Sequence, residues 1–313
     1  MMSRWSDADA KGLAGLDLLV YGSRLIGAEP SLVVWGGGNT SLKVTERDFR
    51  GREVRVLRVK GSGSDLKSIT RKDFPGVRME EILALLERQE MEDEEMVSYL
   101  AHALQELGGA RPSIETLLHG FLPHDAVLHT HADAIVSLSN TDRCREAIQD
   151  VYGKDVVSIP YRRPGFLLSR EVAHALGRQP GATAVILEKH GTITWGETVK
   201  EAYLRTIDLI MKAEEAIQAR AKGRPRFGGV RVNPLPAARR RETVLTVAPF
   251  LRGLISRGRR AILHFDDAPD ILEFVGAKEA GTLSQIGPAT PDHTIYTKRV
   301  PCFVEADRPD QPD

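Results

Sequence analysis

The stretch Val127-Leu128-His129-Thr130-His131 predicts a short strand that carries two histidines at alternate positions. Successive side chains of a strand point to opposite faces, so the imidazoles of His129 and His131 share a face and can reach one cation. The chain contains nine histidines, and a pair at this spacing also arises easily by chance. Two unconnected histidines therefore remain the alternative on local grounds.

A third histidine, His190, follows the continuous apolar run 184–187, which is typical of a buried strand. Binding groups converge at the ends of strands, at the edge of a sheet. Three histidines with an open position would form a catalytic zinc arrangement, in which the metal acts as a Lewis acid. The alternative for His190 is a strand-end residue that makes a local hydrogen bond.

The pattern on both sides of these residues predicts an α/β fold. Alternating or continuous apolar residues predict strands at 32–35, 39–44, 54–59, 127–131, 156–159, 184–187, 192–195 and 261–265. Apolar residues at helical spacing predict helices at 7–27, 80–88, 95–107, 113–122, 168–176, 197–221, 243–256 and 269–277. We therefore expect a mixed sheet with helices on its faces. A basic segment with Gly and Pro, 222–241, predicts a linker between a core at 1–222 and a C-terminal appendage at 223–313.

Composition excludes several classes of protein. Lys+Arg and Asp+Glu both number 43 in 313 residues, so net charge gives no reason to expect nucleic acid or an anionic membrane as partner. The two cysteines, Cys144 and Cys302, form no CxxC pair, which disfavours a disulfide framework and favours a reducing compartment. The chain starts without the apolar region of a signal peptide and has no apolar run of ~18 residues. We expect a cytoplasmic protein.

Two further features carry chemistry. Glu115 precedes the histidine pair at the start of a short helix, where a carboxylate can act as general acid or base beside a metal or can simply favour the helix dipole. The glycine loops 36–41 and 61–64 follow predicted strands and offer backbone N–H, hydroxyl and amide donors, as in a phosphate or carboxylate cradle. Two hairpin turns are the equal alternative for the loops.

Taken in order, these motifs resemble the class II aldolase/adducin family over about residues 10–215. The matching segments are Gly38-Asn39-Thr40-Ser41, Ser62-Gly63, Pro112-Ser113-Ile114-Glu115, His129-Thr130-His131 and His190-Gly191. The resemblance implies an α/β/α sandwich around a largely antiparallel sheet, assembled as a homotetramer. The predicted C-terminal appendage would add a small α/β unit to this sandwich.

The resemblance also implies roles for individual residues. Zn²⁺ or another divalent cation would bind His129, His131 and His190, and Glu115 would be the catalytic acid/base. A substrate phosphate would be held by Asn39, Ser62, Gly63 and Ser113, although Ile114 departs from the family's double serine. The family's catalytic tyrosine has no secure match. Tyr161 lies in the right region, but the following stretch from Arg163 departs from the pattern.

Other segments are similar to the aldolase half of bifunctional rhamnulose-phosphate aldolase/short-chain dehydrogenases. They are Trp35–Ser41, Arg163-Pro164-Gly165-Phe166, His264-Phe265-Asp266-Asp267 and Pro291-Asp292-His293. No dinucleotide-binding fingerprint follows them in this sequence. This likeness adds His293 and Lys298 to Tyr161 and Arg163 as further candidate site residues.

The resemblance predicts a zinc-dependent aldehyde-lyase that cleaves a small ketose, ketose phosphate or hydroxy-keto acid by retro-aldol chemistry. The expected partner is a small sugar or sugar phosphate, with no nucleic acid and no membrane. A sugar-phosphate 4-epimerase or a dehydratase of the same fold remains an alternative, since the same ligands serve these reactions. The alternative from another class is a non-catalytic, adducin-like scaffold.

Overall fold

The structure is a computed structural model that describes residues 1–290, 292–293 and 297–305. Its centre is a seven-stranded sheet with the order β3-β2-β1-β4-β7-β6-β5. The strands are β1 Asn39–Arg47, β2 Glu53–Val59, β3 Gly76–Arg78, β4 Ala126–Thr130, β5 Val156–Ile159, β6 Ala184–Leu187 and β7 Gly191–Gly196. Every neighbouring pair is antiparallel except β5 and β6, which are parallel. The predicted α/β class with a largely antiparallel sheet is therefore confirmed.

The helices are distributed along the whole described chain. They are α1 Gly15–Gly27, α2 Met79–Ala84, α3 Asp93–His102, α4 Thr116–Gly120, α5 Asp133–Ser139, α6 Cys144–Tyr152, α7 Phe166–Arg178, α8 Val199–Ala221, α9 Ala237–Ile255, α10 Pro269–Val275 and α11 Ala280–Leu283. Short 3₁₀ turns lie at Arg71–Asp73, Leu85–Glu87 and Arg226–Gly228. In the described ranges, no helix has the length and apolar character needed to cross a bilayer.

Alternation along the strands places apolar side chains on both faces of the sheet. In β4, Ala126 and Leu128 join a core with residues of α1, α5, α6 and α8, whereas Val127 joins a core with residues of α4 and α7. A further core connects β2 with α2 and α3. Because a strand buried on both faces needs cover on both sides, the result is three layers, as the resemblance implied.

Two predicted strands are absent. Residues 32–35 form turns, in which the Leu32 N–H donates to Glu29 O at 2.9 Å and the Gly37 N–H donates to Val34 O at 2.9 Å. These local hydrogen bonds use backbone groups that a strand would offer to its neighbour, so β1 begins only at Asn39. Residues 261–265 are also not a strand, and Ile262 is 94% exposed. The predicted α/β appendage thus has helices and one isolated bridge, Val230 to Ala277, among its described residues.

The described chain divides into two compact units. The first comprises residues 1–220 together with the described residues between 289 and 293, and it contains the whole sheet. The second contains α9, α10 and α11. The first unit thus contains a short segment, around residue 292, that the predicted boundary assigned to the appendage.

Candidate functional site

Four side chains of the first unit converge on one point. Glu115, His129, His131 and His190 each offer a ligand atom, and these atoms lie within 4.8 Å of one another. We call these four residues the histidine cluster. Glu115 Oε1 lies 3.3 Å from His129 Nε2 and 3.4 Å from His190 Nε2, and the Nε2 atoms of His129 and His131 are 3.0 Å apart. The structure therefore brings together the residues that the sequence proposed as metal ligands and acid/base.

The sheet explains this convergence. His129 lies on β4, opposite Asn39 of β1 on one side and Ile193 of β7 on the other. His131 has the same parity one residue beyond the end of the strand, so both rings face the same side. His190 lies in the turn that joins β6 to β7. β7 approaches β4 closely here, since a Cβ atom on Gly191 would lie 2.2 Å from Thr130 O.

Glu115 reaches the cluster from the residue before α4, so the predicted helix begins later than residue 113 and excludes Glu115. Its backbone N–H donates to Ser113 Oγ at 3.2 Å, and Asn39 Nδ2 donates to the same oxygen at 2.6 Å. Asn39 Nδ2 also lies 3.5 Å from Glu115 Oε2. Asn39 and Ser113, predicted as phosphate ligands, therefore lie directly beside the carboxylate.

The cluster is nearly buried, and its charged groups interact electrostatically. His129 is fully buried, and the side chain of Glu115 is 12% exposed. Burial raises the pKa of the Glu115 carboxyl, but the attraction and hydrogen bond of His129, together with those of His190, outweigh burial and hold this pKa well below its usual value. Burial lowers the pKa of His129, and Glu115 more than compensates, so the pKa of His129 is raised. The pKa of His190 is lowered, chiefly by burial.

This donor set fits a divalent transition-metal ion. Imidazole nitrogens with a carboxylate oxygen are typical zinc ligands, and they also suit other first-row cations. The Nε2 atoms of the three histidines and Glu115 Oε1 converge on one point, where a shared cation would stabilise them. The cluster can therefore hold a cation on the three histidines, with Glu115 as a fourth ligand or as a base beside it.

The second glycine loop lies beside Ser113. An isolated bridge joins Gly61 to Pro112, and the Ser62 N–H donates to Arg111 O at 2.8 Å. The adjacent Gly63 adopts a left-handed backbone conformation. The four predicted phosphate-binding residues thus belong to two neighbouring segments and the start of β1.

Two charged residues near the cluster were not selected from the sequence. Asp292 is 6% exposed, and its Oδ2 forms a hydrogen bond with His131 Nδ1. Lys60 is 4% exposed, donates to Gly36 O at 2.9 Å, and interacts electrostatically with Glu115 and Asp292. Burial lowers the pKa of Lys60. The sequence offers one indication for Lys60, since it lies at a strand end directly before a Gly/Ser loop. For Asp292, the only indication in the sequence is that it precedes the candidate residue His293.

The remaining candidate residues lie at the surface. Tyr161 is 59% exposed, and Arg163 pairs with Asp93 at 2.8 Å. His293 and Lys298 are also exposed. Pro291, part of the motif that drew attention to His293, lies outside the described residues. None of these four candidates belongs to the histidine cluster as the described residues define it.

Comparison with known families agrees with the geometry. The model "Class II Aldolase and Adducin N-terminal domain" matches residues 17–217, which contain all four residues of the cluster. The chain belongs to the class II aldolase and adducin family. A second model, "Aldolase class II, second domain", matches residues 242–313. The family predicted from the motifs is therefore confirmed.

Two relatives of this family member are similar over most of its length. The N-terminal class II aldolase domain of a conserved protein from Thermoplasma acidophilum is 46% identical, with a TM-score of 0.65, and the match covers 69% of this chain and 99% of that one. An uncharacterized oxidoreductase of Bacillus subtilis (strain 168), YuxG, is 47% identical over 291 residues. That match covers 93% of this chain but only 42% of the relative, so the chain spans less than half of that protein.

Proposed function

We propose that this chain is a metal-dependent class II aldolase, a carbon–carbon lyase that cleaves a small ketose, ketose phosphate or hydroxy-keto acid by retro-aldol chemistry. The observation that carries the proposal is the buried convergence of Glu115 with His129, His131 and His190. An adducin-like scaffold has no physical reason to bury three imidazoles and a carboxylate around one point, because each buried polar group costs free energy unless it is paired.

The proposed division of roles follows from the contacts. His129, His131 and His190 hold a divalent cation, proposed as Zn²⁺, which supplies Lewis-acid polarisation of the substrate's carbonyl and adjacent hydroxyl oxygens. Glu115 moves a proton on the half of the substrate that acts as the nucleophile. Asn39 steers this carboxylate, because its Nδ2 lies near Glu115 Oε2 and is fixed by Ser113.

An anionic substrate group has a site next to the metal centre. We propose that Asn39, Ser62, Gly63 and Ser113 hold a phosphate or carboxylate with backbone and side-chain donors. Lys60 supports this proposal, since it adds a buried positive charge next to the same loops. The zero net charge of the chain then matters little, because local donors attract the substrate rather than the overall field.

The proposal also covers the compartment, the assembly, the partners and the domains of the chain. We infer a cytoplasmic homotetramer that acts on small sugars or sugar phosphates, without nucleic acid or membrane as partner. Residues 1–222 would form the aldolase domain, and 223–313 would be an appendage that packs on this domain or completes it. Tyr161, Arg163, His293 and Lys298 stay candidate site residues.

The decisive experiment combines metal analysis with a donor screen. Purified protein is analysed for bound metal, then assayed with aldehyde acceptors and either dihydroxyacetone phosphate or pyruvate, with and without EDTA. We expect bound divalent metal and aldol product that EDTA abolishes and Zn²⁺ restores. A metal-free protein without activity would favour the scaffold. If neither donor reacts, the metal-loaded protein is incubated with intact sugar phosphates, and epimerised or dehydrated product without release of an aldehyde would favour an epimerase or a dehydratase.

A further inference from the structure

We propose that Asp292 is a positioning residue that holds His131 in the orientation needed to bind the metal. The inference rests on the proposed metal centre and adds a residue that none of the family motifs quoted above includes as a ligand. Asp292 lies 161 positions from His131 in the sequence. Asp292 therefore adds a distant residue to a centre whose proposed members all lie between Glu115 and His190.

The hydrogen bond determines which nitrogen of His131 is free. Asp292 Oδ2 contacts Nδ1, on the side of the ring away from Nε2, and Nε2 lies 3.0 Å from His129 Nε2. A carboxylate only accepts hydrogen bonds, so the neutral ring carries its proton on Nδ1 and presents the Nε2 lone pair to the centre. Partners of this kind fix the tautomer and the ring orientation of metal-binding histidines and make them more basic ligands.

His131 needs such a partner more than His129 does. The Nδ1 atom of His129 lies 3.0 Å from Thr192 O on the adjacent strand, so the sheet itself fixes that ring. The strand β4 ends at Thr130, so His131 lies one residue beyond it. His131 is also the most exposed of the three histidines, at 9%. For the Nδ1 atom of His190, the described residues offer no partner. Asp292 thus fixes the ring of His131, which lies beyond the strand and, within the described part of the chain, has no backbone partner of the kind that Thr192 O gives to His129.

The first glycine loop makes room for Asp292. A Cβ atom on Gly37 would lie 2.7 Å from Asp292 Oδ2 and 2.9 Å from its Cγ. Those distances are too short for any real side chain, so a residue larger than glycine at this position must displace the carboxylate. The run Gly36-Gly37-Gly38 therefore has a role beyond its turn, because Gly37 lets Asp292 reach His131.

The test measures metal affinity directly. Metal-free wild type, Asp292→Asn, Asp292→Ala and the control Asp125→Asn are titrated with Co²⁺ and Zn²⁺ against a competing chelator, as full chains. Asp125 precedes β4, near the opposite end from His131, and pairs with Arg55 at the surface, so its replacement removes the same charge away from the centre. We expect about 10- to 100-fold weaker binding in Asp292→Asn and a larger loss in Asp292→Ala, with the control unchanged. The Co²⁺ absorption bands should shift in the Asp292 variants only.

Gly37→Ala gives an independent arm. It keeps Asp292 but displaces it, so affinity should fall in the same direction. Melting of the metal-free proteins separates positioning from folding, and we expect Asp292→Asn to melt as wild type does. Wild-type affinity in both Asp292 variants would overturn the positioning role and leave the proposed function intact. The positioning role would also be overturned if the metal-free Asp292 variants melt at a lower temperature than metal-free wild type, because the weaker binding would then reflect a destabilised fold. The proposed function would again remain intact. A wild-type chain that binds neither cation would overturn both.

Discussion

Two buried polar clusters lie near the two ends of α4, and they differ in the hydrogen-bond partners of their side chains. In the histidine cluster, before α4, side chains point at one another. At the other end, Lys43 Nζ donates to the carbonyl oxygens of Leu122 and His124, both at 2.5 Å, and His119 Nδ1 shares a 2.8 Å hydrogen bond with Ser41 Oγ. We call Ser41, Lys43 and His119 the lysine cluster.

The difference separates the proposed metal-binding cluster from a structural one. His119 and His129 are both fully buried, yet burial lowers the pKa of His119 to about 3, whereas Glu115 outweighs burial and raises the pKa of His129. The lysine cluster finds its described hydrogen-bond partners in the main chain and in Ser41, except that the described residues offer none to His119 Nε2. In the histidine cluster, His129 contacts His131, and Glu115 contacts His129 and His190, around one point at which we propose that a cation binds.

The largest expected effect comes from removing a ligand. His129→Ala should reduce metal affinity by at least about 10²-fold and abolish turnover, because one of the three proposed ligands is lost. His119→Ala is the matched control, since it removes an equally buried histidine from the lysine cluster. Metal content after dialysis checks both variants. Equal metal loss in the two would erase the distinction between the clusters.

Glu115→Gln should separate catalysis from metal binding. The amide keeps the shape of the side chain but cannot take up a proton, so turnover should fall by about 10²- to 10⁴-fold while metal stays bound. Steady-state kinetics and metal analysis of the same preparation measure the two effects. Retained turnover would contradict the proposed role of Glu115.

Lys43 should make stability depend on pH in a defined window. Burial lowers its pKa from the usual 10.5 to about 8 in the folded chain. Between these values the unfolded chain holds a proton that the folded chain has released, so this contribution to the free energy of unfolding increases as pH rises. The gain from pH 8 to 10.5 should be about 3 kcal/mol and should be missing in Lys43→Met. Denaturant unfolding of both proteins across this window measures the difference, and parallel curves would contradict it.

The smallest expected effect is that of Ser41→Ala. It leaves buried His119 Nδ1 without its side-chain partner and should lower the free energy of unfolding by about 1–3 kcal/mol. Metal affinity should not change, because Ser41 makes no contact with a member of the histidine cluster among its described hydrogen bonds. Ser41→Thr, which keeps a hydroxyl, serves as the conservative control. A fall in metal affinity in Ser41→Ala would show that the clusters are coupled.

Local patterns predicted the strands and helices with strong periodicity. The strand at Ala126–Thr130 and the long helix at Val199–Ala221 agree with the predictions within a few residues. The helix pattern is long enough, and the strand pattern apolar enough, for one conformation to be favoured. The apolar runs at 32–35 and 261–265 predicted strands that do not form, since a strand also requires a neighbouring strand to accept its hydrogen bonds.

The sequence by itself determined the family, through ordered motifs, and proposed all four residues of the histidine cluster. The pair His129 and His131 follows from local geometry, because two histidines on alternate positions of a strand share a face, whereas the roles of Glu115 and His190 came from the family resemblance. Only the tertiary structure decided that Glu115 and His190 meet this pair, because strand order brings β7 beside β4. It also revealed Asp292 and Lys60 beside the cluster. Contacts across 161 positions depend on where the folded chain returns, and no local pattern in the sequence encodes that.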